Sequence, residues 1–598
     1  MHKLHGILKQ GEKGMEKKSG FHKREILSHF LSAGINISPN VLEILSIHSL
    51  NTRILEDMIR EISYIPGFKL HLTESILKQT SFFKNLNSNS KNIVTKRHKL
   101  DEKFPDLQKE SASEFKKNLN FTANQISEAS NLADEIMEYN EKKPQNRNNP
   151  VISNASITLQ HPIVGGTNRF KPVAKDYAEQ IEILKDPNSN LFTDGSINNF
   201  LALYRDRFVR LAEILSKNPE VKNIIPINQV KILQSSGPVN IIGMVTEKKS
   251  SRGGSAIKFS LEDQTGEIEV MVRKNEKNHE TYESMNHLLN DQVVFVSGFL
   301  KVDLQYGHRI IYANKIIWPD IPLGYRSHIP SCPISFALVS DLHIGSQNFL
   351  ESAFTRFIQY LNGEIGNEQD LQEAGKIKYL LLCGDLVDGI GIYADQLNEL
   401  KIPDIYKQYE KAAELFAQIP DYIKIIYIPG NHEPVRKAIP HPSVPAKYCQ
   451  PFLDLGVVSL GDPSLVELHG IKFLLYHGDG MIDLNNSIYG LPYNKPAETM
   501  KEMLRFRHLS PMHGKECTEK APSSHDWLVI DQIPHVFHTG HMHINDVDHY
   551  RNVLCINSGC FQSQTKFMKS LGITPTPGKI PIISESFGKL KTTTLTLM

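Results

Sequence analysis

The chain has 598 residues, a length that suits roughly three or four domains and at least one large buried core. Its 67 Lys and Arg against 66 Asp and Glu leave a net charge of +1, so no global charge drives nucleic-acid binding and any such contact must come from a local patch. Six cysteines without a CxxC pair exclude a disulfide framework and a zinc ribbon, and neither a signal-peptide core nor a membrane-spanning run is present, so the sequence reads as soluble and cytoplasmic.

Residues 1–83 are expected to form a small helical module. Ile26, Leu27, Phe30 and Leu31 share a face, Gly34 ends it, and Ser38-Pro39 suits the cap and first position of the next helix. The end at Phe82-Phe83 raises a sliding clamp as a candidate partner, but Gln79 is misplaced for the usual clamp-peptide spacing, which favours a packing role. Residues 84–173 turn to Asn, Ser, Lys and Gln, with NSNSKN and KKPQNRNNP, the composition of a disordered linker. Across 174–229 the run FLALYRDRFVRLAEIL places Phe200, Leu203, Tyr204 and Phe208 at helical spacing, as a packing stripe.

From 230 to 325 the period switches to alternation. VNIIGMV, AIKFSLED, GEIEVMV, QVVFVSGFL and RIIYANKII are five short strands with a polar insert before the fourth, the pattern of an OB-type barrel. Lys248, Lys249 and Arg252 in the first loop could touch phosphate, but without interleaved aromatics they read as a solvated loop.

Residues 331–598 repeat one grammar five times: a short apolar strand, then at once a cluster of Asp, Asn, His and Gly. ISFALVS leads to Asp341 and His343, KYLLLC to Asp385 and Asp388, IKIIYIP to Asn431-His432-Glu433, IKFLLY to His477 and Asp479, and HVFHT to His541 and His543. Loops at the carboxyl ends of strands in an α/β sheet converge, so these five clusters are expected to meet. Carboxylate, imidazole and amide oxygen without thiolate suit a first-row divalent ion such as manganese, with magnesium, zinc or iron as alternatives. Seven ligands are too many for one ion, whereas two ions about 3.5–4 Å apart sharing one carboxylate use all of them, with Asp385 as the bridge. His441, His508, His535 and His538 have no comparable warrant and stay outside the set. Residue type and spacing alone support phosphoester hydrolysis.

DxH, GDxxD, GNHE, HGD and GHxH resemble the calcineurin-like metallophosphoesterases over about 336–565. HGDGMIDLNNSIYGLPYNKPAETMKEMLRFRHLSP, NSGCFQSQT and ITPTPGKIPII are more closely similar to the small subunits of the archaeal family D DNA polymerases, and the barrel before the phosphoesterase domain is in that family's order. The fold implied is multidomain α+β: a helical N-terminal module, an OB-type barrel and an αββα sandwich. The resemblance implies a first ion on Asp341, His343, Asp385 and His543, a second on Asp385, Asn431, His477 and His541, and a catalytic role for His432 at the phosphate. It further implies a 3′→5′ exonuclease acting on DNA beside a large polymerase subunit. Tyr393 and Arg507, in segments similar to that family, are candidate DNA contacts through base stacking and phosphate binding. Three alternatives compete. A protein phosphatase carries Arg after the second Asp of GDxxD, where this chain has Gly389; a non-catalytic structural subunit would have lost ligands; a repair nuclease would lack the barrel and the ITPTPGKIPII tail.

Overall fold

The computed structural model describes residues 170–598 except 190, 252–253, 515–516 and 571, together with residues 36–37, 45, 71–72 and 155–158. The chain forms two compact units, Met1–Pro150 and Val151–Met598. In the first, Asn36–Ile37 pairs in parallel with His71–Leu72. Leu45 is helical and buried, and the rest of the expected helical module, with Phe82-Phe83, and most of the expected linker lie outside the described residues. One part of that linker stretch is a strand, β1 (Ala155–Thr158), since its Ile-Thr pair suits an extended chain laid along a sheet edge.

A strand and a long helix are among the elements that precede the barrel. The stretch expected to be helical begins instead with β2 (Ile181–Lys185), and the helix, α1, runs over Ile197–Ser216. Ser196 caps α1 by accepting from the Asn199 amide. Its most buried stripe is Leu203, Arg207, Leu211 and Leu215, with Tyr204 and Phe208 of the expected stripe packed beside it. The Arg207 guanidinium is fully buried and donates to Asp526 Oδ2 at 2.7 Å and to the Pro511 carbonyl at 2.7 Å. Removing one partner of a buried pair strands the other charge, so Arg207→Ala is expected to destabilise this unit by about 3–5 kcal/mol, read from the shift of its chemical denaturation midpoint. A shift under about 1 kcal/mol would mean that water reaches Asp526.

The barrel closes from five strands: β3 (Gly237–Ser250), β4 (Ala256–Asp263), β5 (Gly266–Arg273), β6 (Val293–Asp303) and β7 (His308–Ile317), in the order β3-β4-β5-β7-β6. The fifth strand pairs in parallel with the third, as an OB barrel requires. Alternate residues such as Phe259, Leu261, Val270 and Val296 fill the interior. Lys248, expected in a solvated loop, donates to the Met285 and Leu288 carbonyls; Lys249 pairs with Glu247.

The sandwich follows. Its strands are β8 (Ser335–Val339), β9 (Ile377–Cys383), β10 (Lys424–Ile428), β11 (Val458–Ser459), β12 (Ser464–Leu468), β13 (Ile471–Leu475), β14 (Val536–Thr539), β15 (Asp546–Tyr550), β16 (Val553–Asn557), β17 (Lys579–Ser586) and β18 (Lys589–Thr596). One sheet has the order β11-β10-β9-β8-β17-β18-β1, the other β15-β16-β14-β13-β12-β2. The segment ahead of the barrel thus adds an edge strand to each sheet.

Two-residue alternation places Phe336, Leu338, Tyr379 and Leu381 between the sheets against Phe473, Leu475 and Val536. Ala337, Val339, Leu380 and Leu382 point the other way, onto Phe354, Phe357 and Tyr409 of the covering helices. Beyond the second sheet, Leu474 and Phe537 meet Met500, Met503 and Leu504 in an apolar cluster continuous with the barrel interior. Because β8, β9 and β10 are mutually parallel, as are β13 and β14, the five motif-bearing strands end along a common rim.

Candidate metal centre

Each expected ligand stands two to four residues past the end of its strand. Asp341, His343, Asp385, His541 and His543 all have φ between 51° and 67°, a left-handed backbone that non-glycine residues adopt only where the surroundings hold them. The loops also close on one another through glycine. A Cβ at Gly540 would stand 2.6 Å from Asp341 Oδ2, and one at Gly430 would stand 2.7 Å from His477 Nε2.

The seven side chains meet in two groups that share Asp385. In the first, His343 Nε2 lies 3.1 Å from His543 Nε2, and His543 Nε2 lies 3.4 Å from Asp341 Oδ1. In the second, Asn431 Oδ1 lies 3.0 Å from His477 Nε2 and 3.1 Å from His541 Nδ1. Asp385 Oδ2 stands between them, 3.7 Å from His343 Nε2 and 3.4 Å from His477 Nε2.

Hydrogen bonds on the far side of the rings fix which atoms face inward. His477 Nδ1 donates to the Cys383 carbonyl at 2.9 Å, and His343 Nδ1 pairs with Asp388 Oδ1 at 2.9 Å. Each ring therefore turns its Nε2 to the centre. Electron pairs converging on electron pairs make a donor set for cations, and its oxygen and nitrogen content fits first-row divalent ions.

The electrostatics agree. Burial alone would raise the Asp385 carboxyl, yet the His477 and His432 rings hold it well below the ordinary carboxylate range. Burial would lower His477, and Asp385 beside it drives it well above the ordinary histidine value instead. His541, buried next to His477, falls to about 4. Carboxylates that pull a proton onto His477 pull a cation for the same reason.

A calcineurin-like phosphoesterase model matches residues 334–545, and an OB-fold nucleic acid binding domain model matches 239–318. The DNA polymerase II small subunit of Methanothermobacter thermautotrophicus is 41% identical over 420 residues, which cover 70% of this chain and 84% of that one. The chain belongs to the DNA polymerase II small subunit family. The small subunit of Archaeoglobus fulgidus is 35% identical over 402 residues, 67% of this chain and 78% of that one. That of Pyrococcus furiosus is 38% identical over 397 residues, and the match spans 66% of this chain but 63% of the longer relative.

The remaining expected residues of this small-subunit sequence divide. The His432 main-chain N–H donates to Asp385 Oδ1 at 2.9 Å, its Nδ1 donates to the Asp388 carbonyl at 2.7 Å, and its Nε2 stands 3.9 Å from Asp385 Oδ2. Tyr393 is half-exposed at the rim, its ring 6.4 Å from that of His432. Arg507 is elsewhere. It is buried, and its guanidinium donates to the Ile530 and Asp531 carbonyls. Burial takes it down to about 10, and the phosphate contact expected of it has no geometric basis.

Two positioning residues went unassigned although both stand inside the motifs. The second Asp of GDxxD, Asp388, orients His343 and is itself held by Gln562 Nε2 at 3.2 Å. The last residue of GNHE, Glu433, accepts from the amides of Asp385, Leu386 and Gly430 and from the Tyr427 hydroxyl, tying two ligand loops together. Among the histidines set aside, His508 pairs with Asp526 and His538 with Ser558 Oγ, both as buried structural contacts, and His535 accepts from the Lys472 amide.

Proposed function

We propose that this chain is the small subunit of an archaeal DNA polymerase whose phosphoesterase domain is a two-metal 3′→5′ exonuclease that trims DNA 3′ ends beside a large polymerase subunit in the cytoplasm. The observation that carries the reading is the single carboxylate oxygen, Asp385 Oδ2, standing between two donor groups. Asp341, His343, Asp385 and His543 would hold one ion and Asp385, Asn431, His477 and His541 the other. Bound there, divalent ions neutralise phosphate charge and bring the pKa of water towards neutrality.

The protein's own groups do the rest. Asp388 and Glu433 hold the ligands in place before substrate arrives. His432, anchored through Nδ1–H on the Asp388 carbonyl, has Nε2 left to carry a proton, and as imidazolium it donates to a phosphoryl oxygen or to the departing 3′ oxygen. Seven intact donors distinguish this reading from that of a purely structural subunit.

Release of mononucleotides from a 3′-labelled DNA strand, dependent on added divalent ion and absent after chelation, tests the activity. Hydrolysis of small phosphodiesters without any release from DNA would leave a phosphoesterase of another substrate class.

Tyr393 stands where a terminal base can stack, a contact worth about 1–3 kcal/mol. Tyr393→Ala is expected to weaken DNA hydrolysis by about 5- to 100-fold while sparing bis-p-nitrophenyl phosphate. Equal losses on both substrates would reassign the ring to packing over His432.

A further inference from the structure

His441, set aside as a ligand on sequence grounds, does not stand alone. It lies with Asp462 and Asp479, and one ligand atom from each falls within 4.8 Å of the others. All three residues are buried, Asp479 being 9% exposed and the other two wholly enclosed. His441 and Asp462 are locked by reciprocal main-chain hydrogen bonds of 2.8 and 3.0 Å, so the group is a built feature of the fold.

Its hydrogen bonding is incomplete in a particular way. His441 Nδ1 donates to the Arg436 carbonyl at 2.8 Å, which leaves Nε2 facing Asp479 Oδ1 at 3.4 Å. Asp462 Oδ1 accepts the His477 amide at 2.9 Å, but Asp462 Oδ2 and Asp479 Oδ2 are buried and have no partner. Two bare carboxylate oxygens in the interior cost free energy unless a cation or a bound proton meets them. A charge-assisted N–H···O bond closes to about 2.7–2.9 Å. By contrast, two ligands bound about 2.1 Å from one ion sit about 3.0–3.5 Å apart, as His441 and Asp479 do. An imidazolium would in any case answer Asp479 Oδ1 alone.

We propose that His441, Asp462 and Asp479 form a third divalent-cation site, using none of the ligands of the two-metal centre and packed behind His477. Two carboxylates and one imidazole without thiolate suit manganese, iron or zinc, and a doubly charged ion would neutralise the two carboxylates. The ion would tie the loop that carries His477 to the loops that carry His441 and Asp462, which makes its role the positioning of a ligand.

The test counts ions in the full chain, stripped with chelator, dialysed against manganese or zinc alone and desalted. Wild type is expected to hold three per chain and His441→Gln two, while Asp385→Asn loses ions from the shared pair and keeps the third. Anomalous diffraction from loaded wild-type crystals, which needs no variant to fold, is expected to place a peak among the three side chains. A wild-type count of two or fewer, a His441→Gln count equal to wild type, or crystals without that peak would overturn the proposal. A count of two with both ions on the Asp385 groups would leave the exonuclease reading standing and assign His441 to an ion pair with Asp479.

Discussion

Asp385→Asn is expected to abolish hydrolysis of both DNA and small phosphodiesters and to lower the metal content of the centre. The change keeps the side chain's shape and an oxygen for the His432 amide, so the loop that now donates to Oδ1 at 2.9 Å can stay in place. What disappears is the charge that both donor groups share, 3.7 Å from His343 and 3.4 Å from His477. The loss should exceed the roughly 10²–10³-fold that follows removal of one transition-state hydrogen-bond donor, because the whole electrophilic centre depends on this group. It also releases His477, whose high proton affinity comes mainly from Asp385, so the ring should bind a second ion more weakly even at high metal concentration. Metal analysis alongside turnover decides the matter. A variant that keeps both ions and more than a tenth of wild-type turnover would show that the carboxylate is not a bridge.

The distinction between what was legible in the sequence and what was not follows from the range of the interactions. Asp341 with His343, and His541 with His543, could be read because a strand end carries its chemistry in the next few residues and parallel strands bring those ends together. The barrel was legible because alternation over five strands is a local signal, unlike the edge strand Ala155–Thr158, which depends on a sheet edge more than 400 residues away in the chain. The apolar spacing of the first helix gave no sign of Arg207, which only Asp526, far along the sequence, makes a core residue. Arg507 failed in the opposite direction: a basic residue in a family-like segment suggested phosphate, while the fold turns it inward onto carbonyls. His441 has no ligand-like neighbour in sequence, and its partners arrive from the loops around 462 and 479. Glu433 and Asp388 were visible as letters of their motifs, but their roles are set by amide and imidazole directions that exist only once the loops are closed.

His432→Ala separates chemistry from metal binding at this centre. The contact that matters to the shared carboxylate is the His432 main-chain amide, which alanine keeps, and the ring's Nδ1 is spent on the Asp388 carbonyl. Truncation should therefore leave both ions bound and lower turnover on DNA by about 10²–10⁴-fold, the range for a positioned acid–base group. The substrate then reports where the proton goes. A DNA 3′ oxygen is a poor leaving group and needs the proton, whereas p-nitrophenolate leaves almost unaided, so a ring that protonates the leaving oxygen makes the loss on bis-p-nitrophenyl phosphate much the smaller of the two. Equal losses would place its hydrogen bond on a non-bridging phosphoryl oxygen instead. If the alanine variant loses ions together with turnover, His432 is a ligand and the division of labour within Asn431-His432 falls.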